Sequence, residues 1–235
     1  MTKHPKKTAV AVGLAAACAG GFLYRRYFSG DSMTCGDNVK LCGVLTIASG
    51  LGPGEYASDV PYAHGLWPET GDYGTSDCIA PTSTKDPTRV IDCYADAGDN
   101  DDDILDFEIH EWEKHGECAG MASSRDYLTT VCDLAEDPKS IMASTREAGG
   151  DLDAMKAAVE AAGYEVFYED TENSQLYLSA CAPADKTWVL AAMADFEDVC
   201  GDWADDDAVK TAFRGVHVGR RVAGKIELAV VMLVC

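Results

Sequence analysis

Apolar positions along the chain fall into short runs separated by polar and glycine-rich stretches, and their period changes from run to run. Residues 39–49 carry Leu41, Val44, Leu45 and Ile47 and read as a first strand, ending in the Gly/Pro-rich turn at 49–54. A short strand over 62–67 is stopped by Pro68. Residues 71–103 then read mostly as loop. This stretch closes on the acidic run 99–103, a solvated loop because it lacks the glycine and spaced ligands of a calcium site. Downstream, 124–134 and 151–162 read as helices. The second has Asp151 as N-cap, Leu152, Met155 and Val159 on one face, and Gly163 as its stop. Strands are expected over 164–168, 175–180 and 188–192, and a buried strand over 225–234. Helices mixed with short strands, in no regular βαβ alternation, predict an α+β fold with a mainly antiparallel sheet in a single domain.

Between these elements lies the segment 107–118, FEIHEWEKHGEC, which holds two of the chain's five histidines. On a helix stepping about 100° per residue, Phe107, His110, Glu111, Lys114 and His115 share an arc of roughly 140°. Leu105, Ile109 and Trp112 lie on the other side and supply an apolar face to bury. The pattern predicts a helix that docks by one side and presents a polar constellation on the other. Two imidazoles beside a carboxylate and an ammonium point to acid–base work on a substrate that develops negative charge. A zinc-hydrolase reading fails on spacing: His110 and His115 are five residues apart, whereas a helical two-histidine zinc motif needs four.

Charge and cysteine content change the picture in two ways. Residues 1–30 carry five Lys/Arg and no Asp or Glu, so the remainder is strongly acidic, with 14 basic against 40 acidic residues. Lys3, Lys6 and Lys7 precede an apolar run over 8–24, and Ala17-Cys18-Ala19 offers a small-x-small cleavage pattern. This reads as a secretory leader cut after Ala19, with 31–235 as the functional domain. An uncleaved membrane anchor through 8–24 stays open, because Arg25 and Arg26 follow the run. Nine cysteines remain behind the leader, which argues for disulfides in an oxidising compartment, with Cys235 left over. None forms a CxxC pair, which disfavours a zinc ribbon, and no N-glycosylation sequon occurs.

A second motif, YAHGLWP at 62–68, places His64 on the short strand, with Gly65 allowing close approach of another backbone and Trp67 available for stacking. HGLWP, followed some forty residues later by HEWEKHGEC, resembles the two active-site segments of the ribonuclease T2 family of secreted or vacuolar acid endoribonucleases. The likeness extends more loosely from Leu41 to Cys200, and 201–235, including His217, match no part of the family pattern. RNA carries its own nucleophile, the 2′-hydroxyl. Cleavage needs a base for that hydroxyl, an acid for the departing 5′-oxygen and cations for the phosphorane, and requires no metal or cofactor.

The resemblance implies His115 as base and His64 as acid, Glu111 and Lys114 as stabilisers of the pentacovalent intermediate, and His110 as a phosphate ligand. It implies Trp67 as the main base-stacking residue and Glu69 as the base-binding carboxylate, one methylene longer than the usual aspartate. It implies Tyr73 as a second stacking wall and Phe107 as a contact for the downstream base, with plain helix packing the competing reading for Phe107. It also implies disulfides Cys78–Cys118 and Cys181–Cys200. Single-stranded RNA is the expected partner, with no DNA, no stable membrane partner once the leader is removed, and a monomeric protein outside the cell or in an endomembrane or vacuolar lumen. Two departures stand out: Ala48-Ser49-Gly50-Leu51-Gly52-Pro53 stands where the family has a cysteine-bearing Trp-Pro-type turn, and Glu117 stands where it has a threonine. The competing function is a member that has lost catalysis and acts as a secreted binding or signalling protein.

Overall fold

The computed structural model describes residues 32–203 apart from 96 and 99; the leader, the strand expected at 225–234 and Cys235 lie outside the described residues. The described residues form an open antiparallel sheet of five strands: β1 (Leu41–Ala48), β2 (Tyr62–Pro68), β3 (Val166–Asp170), β4 (Gln175–Ala182) and β5 (Val189–Leu190). The order is β2-β1-β4-β3, with β5 also pairing β4. The helices are α1 (Asp101–Lys114), α2 (Ser124–Glu147), α3 (Leu152–Ala161) and the short α4 (Phe196–Cys200). The fold is α+β, as the patterning predicts. No helix among the described residues is long and apolar enough to cross a membrane.

Strand β1 is buried along its whole length, since partners flank both edges and both faces are covered. Leu41, Leu45 and Ile47 join Leu66, Leu176 and Leu178 in a cluster with Trp112, Tyr127, Val131, Met142 and Met155 of the helices. Cys42 and Val44 point the other way, into a smaller cluster with Met33, Cys181, Phe196 and Cys200. Strand β2 is the edge strand beside β1, so its outer backbone groups need partners. The Tyr127 phenol supplies both for Leu66, accepting from its N–H at 3.1 Å and donating to its carbonyl at 2.9 Å. Tyr127→Phe strands both groups in the core, and urea unfolding should report a loss of about 3 kcal/mol.

Three expectations need correction. Asp101–Asp103 are not loop: Asn100 caps α1 by accepting from the N–H groups of Asp102 and Asp103, and the three carboxylates sit in the first turn. There they favour the positive end of the helix dipole. The second correction concerns the face that α1 buries, which is Ile104, Glu108, Glu111 and Trp112, while Leu105 and Ile109 are only half-buried. Two carboxylates lie inward because each has a donor: Glu108 Oε1 accepts the Ile91 N–H at 2.6 Å, and Glu111 is part of the site below. The third is α2, which runs thirteen residues beyond the expected end at 134, through Pro138. Burial of Ala135, Pro138 and Met142 outweighs the lost rung. By contrast, α3 has its expected cap and stop. Asp151 accepts the Ala154 N–H, and Gly163 and Tyr164 return hydrogen bonds to Glu160 and Val159 at the C-terminus.

Among the described residues four disulfides tie the fold together: Cys35–Cys42, Cys78–Cys118, Cys93–Cys132 and Cys181–Cys200. The second and third bracket α1, one just past its C-terminus and one just before its N-terminus. This count suits an oxidising compartment.

Candidate active site

The site forms where β2 and the C-terminal end of α1 meet. Along β2, Trp67 pairs with Val44, Leu66 with Leu45 and Gly65 with Thr46, but Ile47 pairs with Ala63, leaving His64 as the extra residue of a β-bulge. In a regular strand His64 and Trp67, three apart, would point to opposite faces. The bulge turns both away from the helix-side core, and their rings lie 5.1 Å apart, edge to face.

Glu111 closes over this pair. Its Oε2 accepts from Trp67 Nε1–H at 2.8 Å and its Oε1 lies 3.3 Å from His64 Nε2, with the side chain 1% exposed. Gly65 makes room for it, since a Cβ there would collide with the Glu111 carboxylate. The close approach predicted at Gly65 is therefore of a side chain, not of a backbone. On the other side of the His64 ring, Nδ1–H donates to Gln175 Oε1 at 2.6 Å. Both ring nitrogens thus face acceptor oxygens, an arrangement that only the doubly protonated imidazolium satisfies. Burial works against this cation, but the Glu111 carboxylate, the Gln175 amide and Glu55 outweigh it, raising the His64 pKa above its usual 6.5.

His115 follows the last turn of α1 rather than lying on it, with a backbone φ of −128° at the C-cap, so the single helical arc drawn from the sequence does not describe it. Its ring stacks on Trp67 at 4.8 Å and 20°. Burial drives its pKa down to about 4; Glu111 opposes this, and His64, His110 and Lys114 reinforce it. At mildly acidic pH one imidazole is therefore charged and the other neutral, which is what an acid–base pair needs.

The remaining residues singled out from the sequence are placed as follows. His110 and Lys114 are exposed near His115 and act on it electrostatically. Phe107 is half-buried between His64, 5.1 Å away, and Tyr94, 5.9 Å away. Trp67 has one face covered by His115 and meets Tyr177 edge-on at 5.2 Å, so only part of its surface is free to stack on a base. Tyr73 is 71% exposed and makes no ring contact with the cluster among the described residues. Glu69 continues β2, its N–H bonded to the Cys42 carbonyl, and burial pushes its carboxyl up to about 7. Sequence patterning missed Gln175, Tyr56, 6.0 Å from His64, and Tyr177. Among the described residues, no group of three or more His, Cys, Asp or Glu is placed to hold a metal ion.

Glu69 gives a pH test of stability. Unfolded, a glutamate releases its proton near 4.5; folded, Glu69 keeps it until about 7. Between these values the native state binds more protons, so this contribution to stability falls as pH rises and levels off above 7. Allowing for partial exposure, Glu69→Gln should be more stable than the parent by about 2 kcal/mol at pH 8, and by progressively less toward pH 4.5. Urea unfolding of both proteins across this range checks it.

Neither a protein-family model nor a curated protein matches the chain.

Proposed function

We propose that the protein is an endoribonuclease of the ribonuclease T2 type that cleaves single-stranded RNA without a metal. The observation that carries this reading is the placement, around one buried carboxylate, of an imidazole held cationic and an imidazole held neutral. Neutral His115 takes the proton from the 2′-hydroxyl as its oxygen attacks phosphorus. The bond to the 5′-oxygen breaks, and His64 gives its proton to that oxygen, leaving a 2′,3′-cyclic phosphate. Water then attacks with the roles reversed and yields a 3′-phosphate.

The Trp67 face against His115 stabilises the imidazolium only once it has formed, so it lowers the barrier rather than merely binding substrate. Lys114 offers positive charge, and His110 a ring N–H, to the phosphorane oxygens. The contacts of Glu111 support a further part for it, holding His64 charged and Trp67 in place. Trp67, Glu69, Tyr73 and Phe107 are the proposed base contacts, of which Trp67 and Phe107 adjoin the two histidines.

Acidic surroundings resolve the conflict between this substrate and a formal charge of −26 over 31–235. Carboxylates protonate there and their repulsion of a polyanion fades, while the active-site cations persist. An acidic extracellular or vacuolar compartment also suits the four disulfides. The test is incubation with homopolymeric RNAs and with DNA in EDTA. The expected result is cyclic-phosphate ends from RNA alone, with a bell-shaped pH profile whose acid limb lies at about 4 and whose alkaline limb lies above 6.5. Intact RNA, or an optimum at or above about pH 8, would overturn the reading.

A further inference from the structure

We propose that Gln175 is a positioning residue for His64, its side-chain oxygen fixing the imidazole tautomer and ring orientation so that Nε2 carries the transferable proton. A glutamine that is 1% exposed at the start of a core strand needs a partner for its amide, and the partner here is the His64 Nδ1–H, 111 residues away in sequence. An amide oxygen can only accept, so Nδ1 keeps its hydrogen in either charge state. The proton that comes and goes is then the one on Nε2, the nitrogen facing Glu111.

The mount for this amide is rigid. Gln175 pairs with Ala48 at the end of β1, and the residue before it, Ser174, is held at φ 58°, an uncommon backbone conformation for a serine. Two hydrogen bonds from Ser49 keep it there: Ser49 N–H donates to the Ser174 carbonyl at 2.9 Å, and the two hydroxyls meet at 2.7 Å. Asp170 Oδ1 accepts the Glu172 and Asn173 N–H groups and fixes the rest of the turn. A strained residue locked beside a buried polar contact is the kind of backbone that preorganised sites retain. The charged and titratable groups that face His64 are Glu111 from α1, Glu55 and Tyr56 from the turn before β2, and His115 after α1. Gln175 is its uncharged partner from β4.

The catalytic consequence rests on the ribonuclease reading, whereas the tautomer claim stands on geometry alone, and the experiment separates them. Nitrogen-15 NMR titration of His64 and pH–rate profiles on an RNA oligonucleotide are recorded for the parent, Gln175→Leu and the isosteric Gln175→Glu. In Gln175→Leu the neutral ring should lose its fixed Nδ1–H tautomer and both the titration midpoint and the alkaline limb should move to lower pH. In the same variant kcat should fall by about 10-fold or more with KM little changed, the pattern of a lost transition-state contribution. Gln175→Glu should move both midpoint and limb to higher pH. If Gln175→Leu does not fold, the direction of the Gln175→Glu shift decides alone. An unchanged His64 tautomer and midpoint across the variants would overturn the proposal. A parent protein that leaves RNA intact would sink the ribonuclease reading instead, with the NMR titration still deciding the role of Gln175.

Discussion

On the proposed ribonuclease mechanism, alanine at His115 will lower RNA cleavage by about 10²- to 10⁴-fold, and alanine at His64 will do so to a similar degree, because each removes one partner of the proton exchange. The double substitution should cost little more than either alone, since losing either partner already breaks the coupled proton exchange. The pH profiles distinguish the roles. His115→Ala should lose the acid limb at about 4, and His64→Ala the alkaline limb. Stability should move against activity for His115. Its folded pKa of about 4 lies below the ordinary 6.5, so between these values the unfolded state binds the extra proton. The parent is therefore penalised as pH falls through this window, and His115→Ala, free of that penalty, should gain stability relative to it at pH 5 compared with pH 7. Initial rates and urea unfolding at both pH values check the pair of effects, and a His115→Ala rate within tenfold of the parent would contradict the assignment.

The fold was legible where one physical signal dominated. Strand β1 carries a dense apolar set in Leu41, Val44, Leu45 and Ile47, and α3 has both a capping aspartate and a stopping glycine, so their bounds follow to within two residues. The buried face of α1 differs from the expected one because an apolar side alone was expected to dock, whereas Glu108 and Glu111 are buried against specific donors that no periodicity reveals. Proline at 138 was overridden by tertiary burial. The site shows the same division. His64, Trp67, Glu111 and His115 stand in two recognisable motifs, but how they meet depends on a bulge that breaks strand alternation at His64. Gly65 was the sole local hint of it. Gln175 was illegible because its role comes from long-range pairing of β4 with β1.

On the same mechanism, Gly65→Ala will nearly abolish the proposed RNA cleavage although position 65 contributes no side chain to the chemistry. The added Cβ would overlap the Glu111 carboxylate and lie 2.7 Å from Trp67 Nε1. Glu111 is 1% exposed and held by contacts with both His64 and Trp67. Moving it withdraws the carboxylate that holds His64 charged and frees the indole that stacks on His115. A displacement of about 1 Å in such a constellation can cost about 100-fold in rate, and here both histidines are disturbed at once. Overpacking should also cost about 1–3 kcal/mol of stability, read by urea unfolding. The decisive comparison is Gly65→Ala in a Glu111→Ala background, where the obstructing carboxylate is absent. There the same methyl group should cost less than it does in the parent, giving a coupling between positions 65 and 111 of about 1 kcal/mol or more, while activity stays low in both. Equal costs in the two backgrounds would show that the glycine serves the backbone of β2 and not the carboxylate lying over it.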